Sequence, residues 1–157
     1  MATILCIEDE ATLRGDIAEE LEEAGHEVLQ AADGAAGLEM ILSRFPDLVI
    51  SDITMPAMDG FEVLKKVRAA SPNFANMPVI FLSALANRDD VLLGLKEGAD
   101  EYLTKPIDFT LLAVKVEALL RQTERAREKR KEEAVAEVKK YESRTGRKIG
   151  DEEVFWG

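Results

Sequence analysis

The chain has 157 residues, 46% of them hydrophobic, a composition that predicts one globular domain with an appendage. Residues 1–120 carry 22 acidic and 9 basic side chains, whereas residues 121–157 carry 9 and 11, for a net charge of −11. So acidic a body argues against non-specific nucleic-acid binding, which needs clustered cations. There is no basic leader, no apolar run near the roughly 20 residues of a membrane span, and no second cysteine beside Cys6. We therefore expect a cytoplasmic protein.

Apolar runs and helical periodicities alternate five times along the first 122 residues. The predicted strands are 3–7, 27–31, 48–51, 78–83 and 101–103, and the predicted helices are 11–24, 35–44, 61–70, one from Asn87 to Gly98 and one from 109 onward. The expected inward residues are Leu13, Ile17 and Leu21 in the first helix, Leu38, Ile41 and Leu42 in the second, and Val63, Leu64 and Val67 in the third. Gly25 is expected to end the first helix in a left-handed conformation, and Asp108 to cap the last one.

This alternation predicts an α/β fold: a flavodoxin-like, doubly wound, five-stranded parallel sheet in the order 2-1-3-4-5, with helices on both faces. In that order the first and third strands are neighbours at the switch point. Glu8 and Asp9 follow the first strand, and Asp52 follows the apolar run 48–51. The topology therefore predicts that these carboxylates meet at the carboxyl edge of the sheet.

Three carboxylates at one edge repel one another unless a cation lies between them. Hard oxygen ligands at a small, partly hydrated site suit Mg²⁺ or Mn²⁺. We expect Asp9, Asp52 and a backbone carbonyl just beyond Asp52 to hold the metal. An oxygen of Asp52 left free could then attack phosphorus in line and form an aspartyl phosphate.

Two further residues follow strands that end at the same edge. The ammonium group of Lys105 suits one oxygen of a phosphoryl group, and the hydroxyl of Ser83 suits another. Lys105 precedes Pro106, and a cis bond there would direct the lysine into the cleft. The sole histidine, His26, follows a helix away from this edge and is not expected to be a ligand or a phosphodonor.

Over roughly residues 2–122 the chain resembles the receiver domain of two-component response regulators. The matching motifs are Ile4-Leu5-Cys6-Ile7-Glu8-Asp9-Glu10, Asp52 with Met55-Pro56-Ala57-Met58-Asp59-Gly60, Ser83-Ala84, Gly98-Ala99-Asp100-Glu101-Tyr102-Leu103 and Thr104-Lys105-Pro106. The resemblance implies that a histidine kinase or histidine phosphotransfer protein phosphorylates Asp52. It also implies that Asp9 binds the metal directly, Glu8 through water and Thr54 through its carbonyl, and that Ser83 and Tyr102 form a switch.

In such a switch, phosphate on Asp52 draws the Ser83 hydroxyl inward, and Tyr102 rotates into the vacated space. The remodelled surface is expected to be that of the fourth predicted helix, the fifth strand and the fifth helix. Two positions depart from fast-hydrolysing members of the family, namely Thr54, two residues after Asp52, and Leu85, two after Ser83. Because Leu85 cannot hydrogen-bond a water, we expect a phosphorylated state that lasts minutes or more.

The domain is predicted to span residues 1–122, and residues 123–157 to be an extension. An a/d-like apolar pattern leaves the last helix, fades through the charged run 127–133 and resumes at Ala134, Val138 and Tyr141. We expect one helix from 109 to about 143, and then a tail. The helix is either a solvated spacer or a weak coiled coil that makes a homodimer.

Three other functions remain to be weighed against a self-contained, non-enzymatic switch that acts on a downstream protein partner. The chain could be the front end of a larger effector that signals through the long helix. It could be a magnesium-dependent phosphohydrolase, but such enzymes need an acid–base carboxylate where Thr54 stands. It could bind DNA through residues 121–131, but the interspersed Glu124 and Glu128 argue against that.

Overall fold

The computed structural model describes residues 1–84, 92, 96 and 98–148. The strands are β1 (Thr3–Ile7), β2 (Glu27–Ala31), β3 (Leu48–Asp52), β4 (Val79–Ser83) and β5 (Glu101–Thr104). The α-helices within the described residues are α1 (Ala11–Glu23), α2 (Gly34–Arg44), α3 (Gly60–Ala70) and α4 (Phe109–Thr145), and a 3-10 helix covers Pro72–Phe74. Most of the helix predicted between Asn87 and Gly98 lies outside the described residues, although Leu92 and Lys96 are helical.

The five strands form one parallel sheet in the order β2-β1-β3-β4-β5, which confirms the predicted topology. Ile7 of β1 pairs with Ser51 of β3, so the residues that follow them, Glu8 and Asp52, reach the same level. Asp52 pairs with Leu82 of β4, and Ser83 pairs with Thr104 of β5. The register therefore aligns the carboxyl ends of β1, β3, β4 and β5 along one edge.

The sheet separates two layers of apolar side chains. Leu5, Ile7, Val49 and Phe81 pack on the side of α2 and α3. The alternate strand residues pack on the other side, against α1 and α4; among them are Ile4, Cys6, Ile50 and Leu82. Because successive strand residues point to opposite faces, and both faces are covered, the central strands must be apolar throughout. All five residues of β3 and of β4 are buried.

Three of the helices have an aspartate as the N-cap residue, at the edge of the sheet where the strands end. The carboxylates of Asp33 and Asp59 accept hydrogen bonds of 2.8 Å from the backbone N–H groups of Ala36 and Glu62. Asp108 likewise accepts a 3.0 Å bond from the N–H of Leu111, which confirms the predicted cap of α4. These caps satisfy N–H groups that the first turn of a helix leaves without partners, and so they define where each helix starts.

The predicted inward face of α2 is wrong at Leu42, whose surface is 42% exposed. Ile41 is buried as predicted, and the helix also buries Gly34 and Gly37, while Leu38 is only partly buried. A Cβ atom at Gly37 would lie 2.7 Å from Cγ1 of Ile7, so this glycine allows the helix to approach β1 closely, whereas a Cβ atom at Gly34 would meet Met58 and Val63. The prediction counted only large apolar residues as buried. It therefore missed the buried glycines and placed Leu42 on the buried face of the helix.

Helix α4 is continuous from Phe109 to Thr145, two residues beyond the predicted end, and Gly146 follows it with φ of +72°. Its buried residues are Leu112, Val116 and Leu119. The chain divides into two compact units, Met1–Arg121 and the residues from Gln122 onward. In the part of the chain that the structure describes, no helix combines the length and the apolar character needed to cross a membrane.

Candidate functional site

Three carboxylates meet where β1 and β3 end. One oxygen atom from each of Glu8, Asp9 and Asp52 lies within 4.8 Å of the other two. The surface of Glu8 is 0% exposed and that of Asp52 is 4% exposed, whereas Asp9 is exposed to solvent. Glu8 directly follows Ile7, the last residue of β1. Its Oε2 accepts a 3.3 Å bond from the N–H of Glu10, which holds the side chain against the turn into α1. The cluster thus has a buried floor and one open side.

The ammonium group of Lys105 reaches this floor from the loop after β5. Its Nζ lies 2.6 Å from Oε1 of Glu8 and 3.2 Å from Oδ2 of Asp52. The backbone N–H of Lys105 donates a 2.7 Å bond to the carbonyl of Ser83, which carries the pairing of β4 and β5 one residue further. The peptide bond between Lys105 and Pro106 is cis. Lys105 is therefore positioned by the sheet as well as by its two acidic partners.

Burial and charge shift the pKa values of this cluster. Burial raises the pKa of Glu8 to about 7; the Lys105 ammonium works against this rise, while Asp9 and Asp52 add to it. Partial burial alone would lower the pKa of Lys105, but its contacts with Glu8 and Asp52 outweigh that effect and raise it. Each shift arises from too much negative charge around a single cation in a partly desolvated site.

The residues present fit a hard divalent cation. Oε1 of Glu8 is buried and, despite its close approach to Lys105, makes no hydrogen bond of acceptable geometry. Three carboxylates face one lysine, so the cluster has an excess of negative charge and only oxygen donors. Such donors on an edge open to solvent on one side, at Asp9, suit an ion that keeps several waters.

The other predicted site residues, Ser83, Tyr102 and Thr54, have three different environments. Ser83 ends β4 and is buried, in the strand next to Asp52. Tyr102 is partly buried against the apolar layer on the side of α2 and α3, and it pairs with Phe81 in the sheet. Thr54 is exposed in the loop after β3. Leu85 lies outside the described residues.

Two features of the site were not predicted. The guanidinium of Arg14 in α1 donates a 2.7 Å bond to the carbonyl of Glu8, and so links α1 to the acidic turn. A groove of about 350 Å³ opens beside Asp9 between the loops that precede α2 and α3. On its wall Ala57 has φ of +69°, and the N–H of Met58 donates to the carbonyl of Pro56 across that turn. The sequence offered a signal for the Arg14 contact, because a basic residue stands in the first turn of the predicted first helix. It offered none for the left-handed conformation of Ala57, because alanine rarely adopts it.

Known proteins and solved structures resemble this chain over the same region. A family model described as the response regulator receiver domain matches residues 4–117. AfsQ1 of Streptomyces coelicolor, a transcriptional regulatory protein, is 37% identical over 125 residues, which are 80% of this chain and 54% of that protein. The DNA-binding dual master transcriptional regulator RpaA of Synechocystis is 39% identical over 125 residues, 80% of this chain and 52% of that one. The chain thus spans about half the length of these curated relatives.

Two solved structures agree with the fold. The receiver domain of the Francisella response regulator 1452 superposes with a TM-score of 0.73 at 35% identity, covering 78% of this chain and 99% of that one. A CheY-like receiver domain protein from Methanospirillum hungatei gives a TM-score of 0.74 at 30% identity, covering 80% and 98%. In both cases nearly the whole of the other chain is matched, so the likeness covers a complete domain of that size.

Proposed function

This chain belongs to the response regulator receiver family, and from this premise we propose that Asp52 is its phosphoacceptor. The observation that carries the proposal is the position of Asp52, a nearly buried carboxylate at the end of the central strand, 3.2 Å from Nζ of Lys105 and within 4.8 Å of two other acids. Neither a solvated surface acid nor a structural ion pair needs two further carboxylates at that distance.

Asp9, Asp52, Glu8 and the backbone carbonyl of Thr54 are the groups that would hold Mg²⁺, or Mn²⁺ in its place. The ion, when bound, supplies positive charge that offsets the carboxylates and the incoming phosphoryl oxygens. The open side of the cluster at Asp9 leaves room for water and for those oxygens. The buried Glu8 is proposed to act through water, and Asp9 directly.

In the proposed transfer, an oxygen of Asp52 forms a bond to phosphorus while the bond from phosphorus to the donor's imidazole nitrogen breaks. The electron pair of the broken bond stays on that nitrogen, and the product is an aspartyl phosphate. Lys105 exchanges part of its contact with Glu8 and Asp52 for a phosphoryl oxygen, and the Ser83 hydroxyl donates to another. These residues bind and orient the group, and the chain turns over no other substrate.

The partner on the input side is a histidine kinase or a histidine phosphotransfer protein. On the output side, Ser83 and Tyr102 change position together and remodel the surface of β5, α4 and the helix predicted between β4 and β5. The relatives named above are transcriptional regulators about twice as long as the matched region. Signalling through α4 to a further effector domain is therefore the second version of the same function.

The test is phosphorylation by a small donor. Phosphoramidate and Mg²⁺ should add one phosphoryl group to the wild type, seen by intact mass and by a phosphate-affinity gel, and none to Asp52→Asn. Asp16→Asn is the matched control, since Asp16 is an exposed acid of α1 away from the cluster. Phosphorylation of the Asp52→Asn variant would contradict the proposal, and so would phosphorylation of the wild type in the absence of Mg²⁺.

The lifetime of the phosphorylated form provides a second test. We expect it to persist for minutes or more in Mg²⁺ without a partner, because neither Thr54 nor Leu85 offers the carboxylate or amide that positions an attacking water. Thr54→Asn should shorten the lifetime several-fold. Phosphate loss from the wild type within seconds, followed on the same gel, would show this reading of the two positions to be wrong.

A further inference from the structure

The side chain of His26 connects three segments, far apart in sequence, of the compact unit Met1–Arg121, which we call the receiver unit. Its Nδ1 lies 3.3 Å from the backbone N of Ala2, which immediately precedes β1. Its Nε2 lies 2.6 Å from Oε1 of Glu117 in α4, which is 91 residues away. Only 8% of the His26 side chain is exposed, against 45% of that of Glu117. A nearly buried imidazole with both ring nitrogens engaged is a built contact, and the phosphoacceptor site does not use it.

The backbone holds His26 in this position. At the end of α1, Gly25 has φ of +94°, its N–H donates to the carbonyl of Glu22, and the N–H of His26 donates to that of Leu21. This pair of bonds is a Schellman motif, which fixes the direction in which the chain leaves a helix. The next residue, Glu27, bonds to the carbonyl of Ala2 as β2 begins. His26 therefore has little backbone freedom to follow α4 if α4 moves.

The hydrogen bonds assign a role to each nitrogen. An amide N–H can only donate, so Nδ1 accepts the bond from Ala2 and carries no proton. The proton is then on Nε2, which donates to the carboxylate of Glu117. One neutral tautomer satisfies both contacts, and the second of them is a charge-assisted bond between the start of β2 and α4.

The receiver part of α4 is thus tied at two levels. At one end, Lys105 precedes the helix by four residues and contacts Asp52 and Glu8. At the other end, Glu117 is one turn before Arg121, where the receiver unit ends. Between these ties Leu112 and Val116 are fully buried, so this segment moves as a packed, rigid element. A phosphoryl group that draws Lys105 toward it would therefore pull on the start of this segment, while the contact at Glu117 holds its other end.

We propose that the His26–Glu117 contact is the pin that holds α4 in its resting position until Asp52 is phosphorylated, so that these two residues position the part of α4 that lies within the receiver unit. This inference rests on the proposed function of Asp52. The pin holds the resting position, and its loss lets the helix adopt the phosphorylated position without phosphate.

The test is hydrogen–deuterium exchange on the full-length protein, with Mg²⁺ present and with and without beryllofluoride as the phosphoryl mimic. Peptides covering residues 112–125 report the helix. In the wild type, beryllofluoride should speed exchange at residues 117–121 about tenfold. In Glu117→Ala, exchange there should already match the beryllofluoride-bound wild type before the mimic is added, about tenfold faster than at rest, as for loss of a charge-assisted bond. Glu117→Gln keeps an acceptor at the same place and should restore the resting rate.

Glu124→Ala, at an exposed glutamate further along α4, is the matched control and should exchange like the wild type. Glu117→Ala could instead exchange faster than the wild type by the same factor in both states, so that beryllofluoride still produces the full wild-type difference. That result would assign the contact a purely structural role and overturn the proposal. An unchanged Glu117→Ala would also overturn it, as would a wild type that becomes phosphorylated yet shows no change in α4. Failure of the wild type to accept phosphate from phosphoramidate would instead refute the proposed function of Asp52, and the two failures are therefore distinct.

Discussion

At the scale of single residues, Glu8 has the most demanding environment of the site. Its carboxylate has no exposed surface, lies 2.6 Å from Nζ of Lys105 and has a pKa raised to about 7, chiefly by burial. Leaving a buried charge without its partner costs more than breaking an exposed pair, because water cannot replace the lost contact. In the metal-free protein, Lys105 therefore stabilises the fold by neutralising these buried carboxylates, in addition to its proposed role in binding phosphate.

This role predicts that replacing Lys105 costs more stability than replacing a lysine in an exposed ion pair. In buffer with a chelator, Lys105→Ala should lower the free energy of unfolding by about 2 kcal/mol, because it leaves Glu8 and Asp52 without a cation. In a Glu8→Gln background the same change should cost less than about 1 kcal/mol, since only Asp52 then loses its cation. Urea unfolding followed by circular dichroism measures both.

Lys115→Ala is the control for this cycle. Lys115 pairs with Glu101 at 2.8 Å, but both side chains are partly exposed, so its loss should cost less than about 1 kcal/mol. Equal costs for Lys105→Ala and Lys115→Ala, or a Lys105→Ala cost that is the same in both backgrounds, would show that Glu8 does not depend on Lys105.

At the scale of elements, glycine has opposite effects in two helices. Gly37 in α2 faces β1, where an added Cβ would overlap the side chain of the fully buried Ile7. Gly15 in α1 has no heavy atom within 4 Å of the position of such a Cβ. The closeness of α2 to the sheet depends on the absence of a side chain at Gly37, whereas at Gly15 glycine only adds flexibility to a helix.

The two alanine substitutions should therefore change stability in opposite directions. Gly15→Ala should raise the free energy of unfolding by about 0.5–1 kcal/mol through helix propensity alone. Gly37→Ala should lower it by about 1–3 kcal/mol, because overpacking outweighs the same gain in propensity. Thermal or urea unfolding of the pair is the measurement, and stabilisation by Gly37→Ala would show that Ile7 can move aside at no cost.

At the scale of the whole molecule, the receiver unit contains its own core. Every described residue of the two apolar layers lies within Met1–Arg121, and α4 contributes Leu112, Val116 and Leu119 to one of them. From Gln122 to Lys148 every described residue is at least partly exposed. The buried residues of α4 thus all lie within Met1–Arg121.

A chain that stops after Arg121 should therefore unfold cooperatively with a free energy within about 1 kcal/mol of that of the full protein, and should still accept phosphate on Asp52. A chain that stops after Lys115 loses Val116 and Leu119 from the core and should lose about 3 kcal/mol or more. Denaturant unfolding of the three lengths distinguishes these cases. Equal losses in both truncations would mean that residues beyond Arg121 stabilise the receiver unit.

The sequence by itself determined the order of elements, the strand order and the family. Strands buried on both faces must be apolar throughout, as 48–51 is, and amphipathic helices repeat with their own period, so both leave a local signal. An acid that ends such a strand, as Asp52 does, is placed at the sheet edge by topology alone. For that reason the convergence of Glu8, Asp9 and Asp52 could be predicted without any contact being known.

Only the tertiary structure decided what depends on close approach between distant segments. It buried Glu8 and left Asp9 exposed, although the two are adjacent in an acidic turn. It turned Gly37 rather than Leu42 toward the sheet, and it placed His26 against a glutamate 91 residues away. Local patterns report whether a residue favours burial, but they do not specify which side chain it meets, because that depends on how closely two packed elements can approach each other.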